Sequence, residues 1–394
     1  MQTLNQSPTD PAFVQNPYPF YSRARALGPF FLWADYSMIC TPNAAAANAI
    51  FRDRRFGREA PAELAPSIPA HLAPFYAVEA HSMLELEPPR HTRLRGLVLR
   101  AFTSRRIAAL APEIETLTHQ LIDALPQGPF DLLAHFGQKL PVTIIARLLG
   151  VPETMSDDLL KWSNAMVGMY MANRTPEAEA RAVAATESFV AFLRGYIDQR
   201  RRDPRDDLIT SLIAAEELGE KLTTDELIST CILLLNAGHE ATVHTIGNGV
   251  KTLLETQTPL SALAPDAIEA TNEEILRFDP ALHMFTRWVY AEAEILGHTF
   301  RRGDRVALLL GAANRDPAVW DNPDQFIPTR PVRPNVTFGA GLHFCVGAPL
   351  ARLELQIALP ILFNRLPGLH SVAPPGYGDV YHFHGLTKLM LDRG

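Results

Sequence analysis

Along most of this chain apolar residues recur every three or four positions, and 32 prolines cut the recurrence into separate stretches. From Glu113 to Ala214 that pattern predicts helices, with turns at Pro126-Gln127-Gly128-Pro129 and Gly150-Val151-Pro152. The alanine-rich run Ala44 to Phe51 is also helical, and the charged run Asp198 to Asp207 reads as a solvated turn between helices. Strand-like segments are few. Phe30-Phe31-Leu32-Trp33 and Ser37-Met38-Ile39-Cys40 flank Ala34-Asp35-Tyr36, and Ile295 to Leu310 alternates around Gly297 and Arg302-Gly303-Asp304. Between Arg58 and Pro89 no period holds, yet Phe75, Met83 and Leu84 are apolar, which predicts an ordered loop that lines something. The expectation is a mainly α protein with small β-sheets, one domain over 1–394.

One stretch is uninterrupted. Thr223-Thr224-Asp225-Glu226 has the capping-box pattern, and no proline follows before about Leu254. That predicts roughly 30 helical residues, ~45 Å long. Its centre, Cys231 to Thr245, is apolar on most sides, as in a buried helix, so Glu240 stands where a carboxylate is costly without partners. Leu233, Asn236, Ala237, Glu240 and Ala241 share one stripe. Ala237 and Gly238 are small enough for a flat group to approach. Asn236 is either bonded within the protein or holds a polar group of a ligand. Met166, Met169 and Met171 form an adaptable apolar patch, more often core than pocket.

The chemistry concentrates at Phe338-Gly339-Ala340-Gly341-Leu342-His343-Phe344-Cys345-Val346-Gly347, just before the helical run Ala348 to Leu362. Glycines permit φ > 0 and close main-chain approach, and a cysteine at a helix N-terminus is placed to become a thiolate. A single cysteine suits one axial bond to a haem iron better than zinc or an iron–sulfur cluster, which need several ligands. Taken singly, each feature is ordinary turn chemistry. Similarly, His91 and Arg95 at i and i+4 form either a solvated basic face or a clamp for a carboxylate. Glu274 and Arg277 at i and i+3 could be an ordinary surface pair.

Composition narrows the class. A net charge of −7 argues against non-specific nucleic-acid binding, while Arg93, Arg95, Arg100, Arg105 and Arg106 make one basic region suited to an acidic partner. Three scattered cysteines form no disulfide framework. The polar, proline-bearing segment from Met1 to Tyr18 resembles neither a signal peptide nor a membrane span, so a soluble, cytoplasmic protein is expected.

The ten residues around Cys345 closely resemble the haem-binding loop of cytochromes P450 of the soluble bacterial type, and the resemblance runs from Pro17-Tyr18 to Leu391. It implies the P450 fold, with haem b between the long helix and the helix after Cys345. It further implies Cys345 as the iron ligand and Phe338, Gly339, His343 and Gly347 as haem contacts. His91, Arg95 and Arg287 are then propionate ligands, Ala237 and Gly238 lie along the haem, and Glu274-x-x-Arg277 is a structural network. Met83, Leu84, Leu233, Asn236, Leu282, Met284, Phe285, His382 and Phe383, the last two in Tyr381-His382-Phe383-His384-Gly385, would line a substrate pocket. The 58–89 loop would be its lid. The implied reaction inserts one atom of O2 into an apolar small molecule, with electrons from NAD(P)H through a ferredoxin and its reductase. One departure stands out. Ala237-Gly238-His239-Glu240-Ala241 carries Ala241 where the family has a threonine that relays protons, and Thr242 is turned about 100° away. Glu240, Ala241 and Thr242 are therefore the catalytic candidates, with a peroxide-driven peroxygenase or a non-catalytic haem sensor or carrier as rival readings.

Overall fold

The computed structural model describes residues 1–170, 174–217, 219–379 and 382–394; Met171 and Tyr381 lie outside them. Helices dominate, and the helix Thr224–Glu255 runs through the largest apolar cluster. Its start is the expected capping box: the Thr223 hydroxyl accepts from the Glu226 N–H at 3.2 Å, and the Glu226 carboxylate accepts from the Thr223 N–H at 2.9 Å. Against this central helix pack Lys139–Leu149, Ser156–Val167, Ile268–Phe278 and the helix after the cysteine, Ala348–Arg365. Burial of each large aliphatic side chain there contributes about 1.5–3 kcal/mol.

The main sheet joins distant parts of the chain. Its strand order is Thr3–Leu4, Phe31–Trp33, Met38–Thr41, Arg305–Leu309, Met284–Val289, Phe56–Gly57. The pairing of Arg305–Leu309 with Met284–Val289 is antiparallel and sets Val306 opposite Arg287. This fixes where Arg287 enters the interior. The 58–89 stretch is ordered, with the helix Ala73–Glu79 and two short 3-10 turns.

One expectation is corrected, and one alternative that spacing left open is decided. The charged run 198–207 is not merely a solvated turn: the helix Pro176–Arg202 continues into it, and Arg200 and Asp207, 3% and 5% exposed, pair at 2.6 Å in the interior. Nor is Glu274–Arg277 a surface pair. Both are buried, joined by two bonds of 2.7 and 2.8 Å. Arg277 also donates to the carbonyls of Asn314, Pro323 and Gln325, and Arg330 adds a second cation on Glu274. Such a network fastens the segment leading into the cysteine loop.

A second buried polar knot holds the termini. Asp279 accepts from Tyr18 at 2.6 Å and from Tyr377 at 2.5 Å, and His384, stacked on Tyr377, lies 3.5 Å from it. His283 and Tyr21 complete this knot at 2.7 Å. Both oxygens of Asp279 are thereby occupied, so the cluster reads as a structural tie.

Candidate active site

The loop before Cys345 is shaped by glycine. Gly339 and Gly341 have φ of +67° and +69°, and a Cβ on Gly341 would lie 2.1 Å from the Phe51 carbonyl oxygen. The Cys345 N–H closes the loop onto the Phe338 carbonyl at 3.1 Å. The backbone N–H groups of Gly347 and Ala348 approach the sulfur and favour its thiolate, as do Arg95 and Arg352, yet burial outweighs them and pushes the thiol up. A cation bound at the sulfur would favour the thiolate.

Beside this loop the expected basic residues converge. His91 is 1% exposed, its Nδ1 is buried without a hydrogen-bond partner, and its ring lies 4.4 Å from that of His343. Burial, then the neighbouring His343 and Arg95, bring His91 down to about 4. Arg287, 3% exposed, donates only to the Thr286 carbonyl and lies over the Phe51 ring; among the described residues no carboxylate pairs with it. Burial, then Arg58, lowers it to about 9. Arg95 donates to the Phe344 carbonyl in the cysteine loop at 2.7 Å. A buried guanidinium without an anion and a buried imidazole nitrogen without a partner are costly unless an anionic group completes them.

Glu87 was not anticipated there. Its Oε1 accepts from the Arg58 N–H at 2.7 Å and lies 2.9 Å from His343 Nε2. Glu87 stands below the ordinary carboxylate range: burial raises it, but the bonds from His343 and the Arg58 N–H and the charges around them prevail. Its proximity to His91 in sequence was the available signal, since an acid one helical turn before a basic cluster tends to face it.

The central helix is buried on most sides, but Leu233, Ala237, Glu240, Ala241 and His244 keep partial exposure along one line. This open stripe keeps Leu233, Ala237, Glu240 and Ala241 of the predicted one and adds His244, while Asn236 is buried. Asn236 is 7% exposed, its Oδ1 lacks a partner and its Nδ2 reaches only Met166 Sδ at 3.8 Å. A Cβ on Gly238 would lie 3.4 Å from Ile145, so this glycine is turned towards the helix Lys139–Leu149. Thr242 donates back to the Gly238 carbonyl at 3.3 Å and is buried, and so does not replace a hydroxyl at Ala241. Glu240 lies 3.4 Å from His239 Nε2 and 3.2 Å from His244 Nε2. Burial opposes its charge, but these two imidazoles hold it well below the usual range.

Of the pocket candidates, Leu282 and Phe383 bridge each other, and the Phe383 ring is 5.8 Å from that of His244. Phe285 packs on Phe51 and against Gly339. Met83 is buried, and Leu84 and Leu233 are half-buried. Met284 and His382 are corrections. Met284 points from the opposite face of its strand into the cluster of Phe20, Phe31 and Trp33, and the His382 ring is turned to Tyr36. In the lid, Glu79 accepts from Tyr170 at 3.0 Å, and Arg58 pairs with Glu85 at 2.5 Å.

One sulfur donor, a buried guanidinium with no carboxylate on it and a buried imidazole nitrogen without a partner among the described residues, and an open helix stripe that includes Ala237 and Ala241 fit a haem, the group that the cysteine loop implies. Comparisons with known proteins agree. The family model "Cytochrome P450" matches residues 267–367. The chain is 36% identical over 99% of both chains to the biotin biosynthesis cytochrome P450 of Bacillus subtilis. It is 42% identical to cytochrome P450 107B1 of Saccharopolyspora erythraea, over 81% of this chain and 76% of that one. Among solved structures, P450BioI in complex with acyl carrier protein ligated to hexadec-9Z-enoic acid superposes with TM-score 0.91 at 34% identity, covering 97% of this chain and 99% of that one. CalO2 does so with TM-score 0.90 at 30% identity over 98% of each. Among the described residues no helix is long and apolar enough to cross a membrane. With relatives matching end to end and the same fold around the Cys345 loop, this chain belongs to the cytochrome P450 monooxygenases.

Proposed function

We propose that the chain hydroxylates a mainly apolar small molecule at a haem b ligated by Cys345, with electrons from NAD(P)H delivered by a ferredoxin and its reductase. The observation that carries this reading is Arg287, a buried guanidinium with no carboxylate on it among the described residues, beside the glycine-shaped cysteine loop. His91, Arg95, Arg287 and His343 would hold the propionates. Bound haem supplies the redox chemistry with O2, and the Cys345 sulfur pushes electron density towards the iron. The residues of the chain orient and exclude water: Leu233, Leu282, Phe285 and Phe383 offer apolar surface. Asn236 Oδ1 would accept a hydrogen bond from a hydroxyl or amide of the substrate.

The relatives act on unlike molecules by name, among them vitamin D3 and mycinamicin IV, so the substrate class rests on the lining of this chain. Reconstitution with haem, followed by a reduced-CO spectrum, tests the ligation. A missing thiolate-type band overturns it. Ala241 favours one second reading, oxidation driven by peroxide. Product formation with H2O2 alone, and none with NAD(P)H, ferredoxin and reductase, would establish that instead.

A further inference from the structure

We infer that His244 is the proton carrier for Glu240, serving the relay that lacks a hydroxyl at Ala241; this rests on the monooxygenase reading above. Glu240 stands between two imidazoles, 3.4 Å from His239 Nε2 and 3.2 Å from His244 Nε2, and both favour its carboxylate form. The two imidazoles differ. His239 is 1% exposed and has acceptors on both nitrogens: the Leu235 carbonyl at 3.0 Å on Nδ1, Asn164 Oδ1 at 3.2 Å and Glu240 at 3.4 Å on Nε2. It is fixed in place. His244 is 14% exposed, has Glu240 at 3.2 Å on Nε2, and its buried Nδ1 has no hydrogen-bond partner among the described residues. Among the described residues Glu240 is the one acceptor beside its ring nitrogens, and an imidazole can both donate and accept through those nitrogens.

A second observation shows that the placement is built. A Cβ on Gly385 would lie 1.9 Å from His244 Nδ1, so this ring position requires glycine in the C-terminal segment. Phe383 covers the ring from the same segment, and Leu282 pairs with Phe383. The titratable groups around His244 are Glu240 and His239 on its own helix and His384 on the C-terminal segment. In the step, the Nε2–H bond of His244 breaks as an O–H bond forms on Glu240. Glu240 passes that proton to water beside Ala241, and His244, whose Nδ1 is buried, takes the next one from water at Nε2 through its partly exposed side chain. No electrons move between these groups.

The test uses the full-length holoenzyme and two variants, His244→Gln, which can still bond to Glu240 but cannot carry a proton, and Gly385→Ala, which displaces the ring. Both should keep the reduced-CO spectrum and the substrate-induced Soret shift. Product formed per NAD(P)H should fall on the order of tenfold, with a larger solvent isotope effect. Independently of turnover, the His244 side-chain NMR signal should move in Glu240→Gln. Unchanged coupling and isotope effect in His244→Gln, or an unmoved signal, overturns the proposal. Loss of the thiolate-type band in the unmodified protein instead removes the monooxygenase reading itself.

Discussion

Glu87 Oε1 lies 2.9 Å from Nε2 of His343, which sets an acid inside the cluster of cationic side chains beside Cys345. A carboxylate in that position neutralises the cluster, and it also competes with any anionic ligand for His343. Two consequences follow from the same charge. The haem-free protein is stabilised by it, because a charge-assisted hydrogen bond contributes about 1.5–3 kcal/mol. Haem propionates bound at this cluster would be opposed by it. Glu87→Gln should therefore lower the melting temperature of the haem-free protein but slow haem loss several-fold, read as transfer to an excess of a high-affinity haem acceptor. Faster haem loss than in the parent would show that Glu87 supports the propionates rather than competing with them.

Gly341→Ala should abolish stable haem incorporation. The position combines φ of +69° with a Cβ site 2.1 Å from the Phe51 carbonyl oxygen, so the loop carrying Cys345 must move. Left-handed backbone alone costs a non-glycine residue roughly 1–2 kcal/mol, and the clash adds to it. The reduced-CO absorbance per mole of protein measures the outcome; a parental value would refute the role given to this glycine.

Glu79 links the lid helix Ala73–Glu79 to Tyr170, and burial, reinforced by Glu85, raises it to about 7. A carboxyl raised in the fold binds its proton more tightly there than in the unfolded chain. Its contribution is complete below the ordinary carboxylate range and is lost as pH rises through about 7. The loss should be about 1–3 kcal/mol. Glu79→Gln should remove this slope between about pH 4.5 and 7 and melt higher than the parent at pH 8. Parallel melting curves across that range would count against it.

Asp207→Ala should destabilise the fold by about 3–5 kcal/mol, because it leaves Arg200 charged, buried and unpaired. Replacement of an exposed pair such as Arg194–Asp225 should cost under about 1 kcal/mol. Denaturant titrations of the two variants give the comparison, and equal losses would contradict it.

Much of the catalytic frame could be read from the chain because its determinants are local. The glycines and cysteine of 338–347, the Thr223–Glu226 capping box and the Glu274-x-x-Arg277 spacing each act within one turn or one loop, where covalent geometry limits the alternatives. The helical pattern also located the central helix and all of its open face except His244, although Asn236 of the predicted stripe is buried.

Other features depended on residues far apart in the chain. Glu87 meets His343 256 positions away, and Tyr18 meets Asp279 261 positions away. Gly385 makes room for His244, and Arg200 turns a charged stretch inward to Asp207. Periodicity cannot choose such pairs, because a charged side chain in sequence looks the same whether water or a buried partner satisfies it. Sequence alone determined that a glycine-shaped loop bearing Cys345 and an acid-bearing helix exist in this protein. Tertiary packing decided which charges lose their water, and therefore which partners they must find.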